Sequence, residues 1–224
     1  MKLYSFQPSP YGSRVRLALR HKRLDFEVAS PPEVDPETSH FLASSPMEVP
    51  TLVADDGTAV SGSTAILDYL EDAFPEPSLL PHAPEARGRA RMLAQTPDSY
   101  IHDAPRKLFG MANPAQRDVA AIDEAFGMIT TALVFVDTRI DGGGWAVGEK
   151  VSIADCALIP VLNAVALLGA IHGRPNVIAE HAKLGAYWAA AQRDPINAAL
   201  IAEQLAGLPA PLQGFAPKSV GANS

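Results

Sequence analysis

Four prolines, Pro75, Pro77, Pro81 and Pro84, fall within ten residues of this 224-residue chain, and no helix or strand can run through them. Whatever the chain folds into is therefore built in two parts, and the apolar pattern differs on either side. Upstream, residues 2–6 alternate apolar and polar and stop at Pro8-Ser9-Pro10, while residues 11–22 carry Val15, Ala18 and Leu19 on one helical face. Residues 24–29 read as a second short strand, after which Pro31, Pro32 and Pro36 punctuate a loop leading to a brief helix over 37–42. Residues 49–54 and 58–60 flank Asp55-Asp56-Gly57, a hairpin signal, and residues 63–74 place Ile66, Tyr69, Leu70 and Ala73 at helical spacing. The order is βαβαββα with a parallel first pair. Downstream no strand pattern is found. Ala- and Leu-rich segments broken by Pro97, Pro105, Pro114, the glycines at 142–144 and Pro175 predict helices only. The expected fold is α/β plus all-α: a first domain over 1–76, a linker over 77–83, an all-helical domain over 84–208 and a loose tail over 209–224, with Phe215 as a docked exception.

Charge narrows the partners. The 18 Lys and Arg against 25 Asp and Glu give a net charge of -7, which repels nucleic acid and acidic membrane surfaces at long range. The early cluster Arg14, Arg16, Arg20, Lys22 and Arg23 reads as a solvated helix face. A lone cysteine, Cys156, excludes an intrachain disulfide, and the opening MKLYSF lacks the basic and apolar regions of a leader, so a reducing cytoplasm is expected. The most apolar stretch, 156–171, is 16 residues long, contains Pro160 and Asn163, and falls short of the roughly 20 residues of a membrane span. It reads as a buried core helix. The six histidines show no metal-ligand spacing, so no metal is expected.

Four segments carry chemistry or folding information. In Gly148-Glu149-Lys150-Val151-Ser152-Ile153-Ala154-Asp155, Ser152 and Asp155 stand three apart before an apolar run, the spacing of a reciprocal capping box, with Val151 and Cys156 as a hydrophobic staple. Its role is folding. Pro160, further along, removes an amide from that helix and calls for a kink or a compensating partner. Pro8-Ser9-Pro10-Tyr11-Gly12-Ser13-Arg14-Val15-Arg16 puts a serine at the mouth of the first helix, where its plain reading is an N-cap. Ser45-Pro46-Met47-Glu48-Val49-Pro50-Thr51-Leu52 leads into the third strand, and Val60-Ser61-Gly62-Ser63-Thr64-Ala65-Ile66-Leu67-Asp68-Tyr69-Leu70 opens the following helix.

These segments, and the βαβαββα order followed by helices, resemble the cytosolic glutathione S-transferases, in particular Ser-type members of the tau, theta and zeta kind with a thioredoxin-like first domain. The resemblance implies that the Ser9 hydroxyl donates to the glutathione sulfur, that the Val49-Pro50 bond is cis and presents Val49 to the peptide, and that Gly62 and Ser63 face the γ-glutamyl end. Gly62 stands where the family has glutamate. The resemblance further implies glutathione as cosubstrate, a small hydrophobic electrophile, a homodimer, a detoxification role and a second pocket between the domains, with Tyr11, Tyr100, Arg106 and Phe109 as candidates. Each of these four reads equally as packing or surface. Ser13 and Tyr11 are alternative thiol partners. Nothing resembles the cysteine of thiol-disulfide relatives.

Ser9 can meet the energetic demand. A free thiol of pKa about 8.5 is only a few per cent thiolate at neutral pH, and lowering it by about two units takes about 2.7 kcal/mol. A hydrogen bond to a charged group contributes roughly 1.5 to 3 kcal/mol, and a helix N-terminus roughly 0.3 to 1. The competing readings are a glutathione-dependent isomerase or lyase on the same site, and a non-catalytic binding protein of the same fold. Gly62, and a loop before Val49 one residue shorter than the family pattern, favour the non-catalytic reading; Ser9 and Ser63 favour an enzyme.

Overall fold

A computed structural model describes residues 1–31, 49–101 and 103–215. The predicted helix over 37–42 lies outside them. Four short strands form one sheet in the order β2-β1-β3-β4: β1 (Lys2–Tyr4), β2 (Glu27–Ala29), β3 (Thr51–Val53) and β4 (Ala59–Ser61). β1 pairs parallel with β2 and antiparallel with β3, and β3 pairs antiparallel with β4. The hairpin closes at the expected turn, with Ala54 N donating to Thr58 O at 2.8 Å. Leu3 and Leu52, opposite each other in register, are fully buried. Among the described residues, two helices belong to this half, α1 (Pro10–His21) and α2 (Ser63–Ala73).

Beyond Pro84 the chain is helical: α3 (Pro84–Thr96), α4 (Asp103–Gly110), α5 (Val119–Asp137), α6 (Ile153–Ile171), α7 (Ala182–Ala191), α8 (Pro195–Ala206) and the short α9 (Ala210–Gln213). Pro97 was expected to break the chain. Instead it starts a π-type turn over Pro97–Ile101 that carries the backbone from α3 towards α4. Phe215 is 42% exposed and does not dock.

The central element is α6, buried along almost its whole length. At 19 residues it is longer than the expected 16, and both α5 and α6 are long and apolar enough to cross a membrane by length and composition. Length therefore does not decide. Packing does for α6, because 89% of its most apolar window is covered by the rest of the chain. The helix continues through Pro160, where the buried Gln204 side chain donates to the Pro160 carbonyl at 3.4 Å and accepts from Asn163 at 3.2 Å.

The start of α6 shows why Ser152 and Asp155 stand three apart. They form the reciprocal box, and the fully buried Asp155 carboxylate accepts from Ala146 N at 2.7 Å, Ser152 N and Ser152 Oγ at 2.8 Å, and Tyr187 Oη at 3.0 Å. Burial pushes the carboxyl above its usual range, against the pull of these donors. Burial also pushes the Tyr187 phenol well up, so it keeps its proton for the bond.

The basic face of α1 is not solvated. Arg14, Arg16 and Lys22 are buried, and only Arg23 of the cluster is exposed. The reason is tertiary: α1 packs against α2 on one side and against α6 and α8 on the other, and each cation meets an acid from another element. Arg14 pairs with Asp98, Arg16 and Arg20 share Glu203, and Lys22 pairs with Glu71 at 2.6 Å. Lys22 also donates to the carbonyls of Phe74 and Pro77 at 2.6 and 3.1 Å. Glu71 in turn accepts from Ser78 Oγ at 3.0 Å and Leu79 N at 2.8 Å. One buried ion pair thus ties down the proline-rich connection, and Leu79 O receives Ile153 N at 2.8 Å, joining that connection to the first residue of α6.

Candidate active site

The first turn of α1 is set by what precedes it. Ser9 has extended backbone (φ -64°, ψ 122°) and its Oγ accepts from Gly12 N at 3.4 Å, the N-cap expected of it. Because the oxygen is the acceptor in that bond, the hydroxyl proton is left to donate elsewhere. Gly12 must be glycine: a Cβ there would stand 1.6 Å from Ser5 Oγ. Its absence lets α1 sit directly on the end of β1, with Ser9 at the edge.

A cavity of about 540 Å³ opens where α1, the cis Val49–Pro50 step, the start of α2 and the π turn converge. Its wall is Tyr11, Val49, Pro50, residues 62–65 and Asp98. Gly62, rather than Ser63, is the N-cap of α2, with φ 87° in the left-handed region that glycine enters without strain. It offers no capping side chain, so the first-turn amides of α2 lie at the wall as ready donors to an anion. Ser63, buried, accepts from Arg14 Nη1 at 3.3 Å.

Sequence reasoning missed Asp98 and the residue that holds it. Arg14 is completely buried, its guanidinium 4.6 Å from the centre of the Tyr11 ring, and its Nη1 reaches Asp98 Oδ1 at 2.8 Å and Oδ2 at 3.0 Å. Thr64 Oγ1 donates to Asp98 Oδ2 at 3.0 Å. These contacts orient a partly exposed carboxylate at the cavity wall, while Nε and Nη2 of Arg14 are buried without a partner among the described residues. No local signal marks the pair, since 84 residues separate them. Burial raises the Tyr11 phenol, with Arg14 pulling the other way and Asp98 and Asp103 adding to the rise, so the phenol stays protonated.

The remaining candidates divide. Phe109 lines a second, small apolar cavity with Pro8, Pro10, Leu167, Leu205 and Leu208. Ser9 itself lines neither cavity: its chain neighbours Pro8 and Pro10 line the second, and Tyr11, two residues on, lines the first. Tyr100 and Arg106 line neither cavity. Tyr100 is 51% exposed and packs at a tilt on Phe135 of α5, with ring centres 5.8 Å apart. Among the described residues no group of three or more His, Cys, Asp and Glu stands close enough to hold a metal ion.

Residues 3–78 match the family described as glutathione S-transferase, N-terminal domain, and residues 100–191 match the glutathione S-transferase, C-terminal domain. A maleylacetoacetate isomerase of Pseudomonas aeruginosa is 31% identical over 176 residues, 75% of this chain and 83% of its own length. The chain belongs to the glutathione S-transferase family. The chain is also 33% identical over 168 residues to a probable glutathione S-transferase GSTU1 of rice, covering 70% of this chain and 71% of that one. Among solved structures, a glutathione S-transferase of Methylobacterium radiotolerans in complex with glutathione sulfonate superimposes with a TM-score of 0.72 at 27% identity, over 89% of this chain and 93% of the other. The thioredoxin-like first half and helical second half are those of the family.

Proposed function

We propose that this protein is a transferase that binds glutathione in the 540 Å³ cavity and uses the Ser9 hydroxyl to stabilise its thiolate for attack on a small hydrophobic electrophile. The observation that carries the reading is the Ser9 cap at the mouth of α1, which leaves the hydroxyl proton free to donate two residues before Tyr11 of the cavity wall. The neighbour structure solved with glutathione sulfonate supports the choice of ligand. Val49 presents backbone to the peptide, and the start of α2 with Ser63 takes the γ-glutamyl carboxylate. Asp98 supplies the negative charge for the ligand's ammonium group that Gly62 cannot. The electrophile approaches past Tyr11 at the wall of the larger cavity, since the cavity beside Phe109, at about 20 Å³, is too small to hold one.

The deciding experiment titrates glutathione calorimetrically into wild type, Ser9→Ala and Asp98→Asn, then follows conjugation to a halonitroarene. Ser9→Ala is expected to bind glutathione normally and turn over about 10-fold to 100-fold more slowly, the loss of one hydrogen bond to a charged group. Asp98→Asn is expected to weaken binding by about 10-fold or more for the same reason. No binding by wild type at millimolar glutathione sinks the enzyme reading in favour of a non-catalytic binding protein. Unchanged turnover in Ser9→Ala removes Ser9 and promotes Tyr11, which lines the cavity and keeps its phenolic proton.

A second reading is a glutathione-dependent cis–trans isomerase, favoured by the maleylacetoacetate isomerases of Pseudomonas aeruginosa and mouse, 31% and 32% identical to this chain. The same bound thiolate then adds to and leaves a conjugated double bond. Turnover of maleylacetoacetate without conjugation of the halonitroarene separates the two.

We further infer a cytoplasmic homodimer. The single cysteine is buried and free, and an apolar surface including Met92, Tyr100, Met128 and Val134 is exposed on α3, the π turn and α5, with Val134 at 49%. Such a surface calls for a partner. Sedimentation velocity is expected to give twice the 23.7 kDa chain mass; a monomer at micromolar concentration removes the inference.

A further inference from the structure

The turn that carries Ser9 is gripped by the helical half of the chain. Arg16, buried on α1, donates from Nη2 to the Gln7 carbonyl at 2.5 Å and to Ser13 Oγ at 2.6 Å, and from Nη1 to Glu203 Oε2 at 3.3 Å. Glu203 lies near the end of α8, in the helical half. Its carboxylate also accepts from Arg20 Nη2 at 2.6 and 2.8 Å. Gln7 belongs to the turn that Ser9 N closes by donating to Phe6 O at 3.1 Å. Past the end of the same helix, Gly207 presses on this turn: a Cβ there would stand 3.1 Å from Gln7 Cβ and Cγ and from Pro8 Cδ.

Two residues of one helix end therefore bear on the two residues before Ser9, one through a charge-assisted chain and one by contact. The charge chain has little slack. Arg16 Nε and Arg20 Nη1 are already buried without partners among the described residues, and Glu203 is the carboxylate both guanidinium groups share. Without it, the buried Arg16 and the half-buried Arg20 face each other uncompensated and are driven apart. Arg16 holds the Gln7 carbonyl, so the turn moves with it. The same helix end contributes Gln204, Leu205 and Leu208 to the apolar cavity that Pro8 and Pro10 also line.

We propose that Glu203 is a positioning residue for Ser9: through Arg16 it fixes the turn over residues 7–9, and so the place at which the Ser9 hydroxyl meets the glutathione sulfur. This rests on the reading of Ser9 as the thiol's hydrogen-bond donor. Arg16 itself touches neither the sulfur nor the electrophile. The role is one of alignment, where displacements well under an ångström matter.

The test measures the apparent pKa of the enzyme-bound glutathione thiol, from thiolate ultraviolet absorbance against pH, in wild type, Ser9→Ala, Glu203→Gln and Gly207→Ala. Loss of alignment raises that pKa, because the thiolate loses its donor. Loss of the Glu203 charge alone lowers it, because removing a negative charge favours an anion. The two effects have opposite signs. Glu203→Gln is expected to raise the thiol pKa by about 0.5 unit or more, with glutathione affinity within about threefold of wild type. Gly207→Ala moves no charge, pushes the same turn and is expected to raise it too. A rise in Ser9→Ala with no change or a fall in Glu203→Gln overturns the positioning role and leaves Ser9 in place. Should Glu203→Gln not fold, Gly207→Ala decides by the same criterion. An unchanged pKa in Ser9→Ala overturns the Ser9 reading itself, and this inference with it.

Discussion

Asp155→Ala is expected to lower the melting temperature by about 10 °C or more, measured by circular dichroism on the purified chain. The carboxylate receives two backbone amides and two hydroxyls in a site with no access to water. Alanine leaves all of them buried, each costing about 1 to 3 kcal/mol unless it relaxes to another acceptor. A total of about 4 kcal/mol, allowing for relaxation, is a large part of the 5 to 15 kcal/mol that holds a typical domain together. Asp155→Asn keeps one acceptor oxygen but turns an NH2 towards groups that are themselves donors, so it is expected to recover only part of the loss. A melting temperature within about 3 °C of wild type in Asp155→Ala would mean that the box is dispensable.

Lys22→Met comes next in size, at about 3 to 5 kcal/mol, the cost of leaving a buried charge without its counterpart. Glu71 retains the Leu79 amide and the Ser78 hydroxyl, while the Phe74 and Pro77 carbonyls lose their donor. The connection between the halves then keeps its Leu79 contacts but loses its anchor at Phe74 and Pro77. Chemical denaturation of Lys22→Met, Glu71→Leu and the double variant gives the coupling directly. The double variant is expected to be less destabilised than the sum of the singles, because it buries no unpaired charge. Strict additivity would show that the pair contributes no interaction of its own. Lys22 and Asp155 are also expected to be non-additive with each other, since Leu79, bonded to Glu71, carries the carbonyl that receives the first amide of α6.

How much of this was legible in the sequence depends on distance along the chain. Ser152 and Asp155 are three residues apart, and the hairpin turn is contained in Asp55-Asp56-Gly57, so both were readable from local rules. The buried face of α1 was not. Its charges look like a solvated stripe because Asp98 and Glu203, 84 and 187 residues from their arginines, are invisible to any local window. The cavity wall draws on α1, the step before β3, the start of α2 and the π turn. Resemblance could name Val49, Pro50, Gly62 and Ser63, but Asp98 arrives through a turn with no sequence rule. That turn also explains Tyr100. A π-type turn makes i→i+5 bonds, so the helical periodicity carried forward from α3 no longer says which face follows Pro97. Arg106 lies beyond the same turn.

The buried arginines of α1 bear on recombination. Arg14, Arg16 and Arg20 are supplied by the first half of the chain, and the carboxylates that neutralise them, Asp98 and Glu203, by the second. A hybrid that joins this first half to the helical half of a relative without acids at those two places would enclose the Arg14 and Arg16 guanidinium groups, and half-bury that of Arg20, with nothing to balance them. Neither half is electrically complete, so for this protein the two modules form a matched set that cannot be exchanged one at a time.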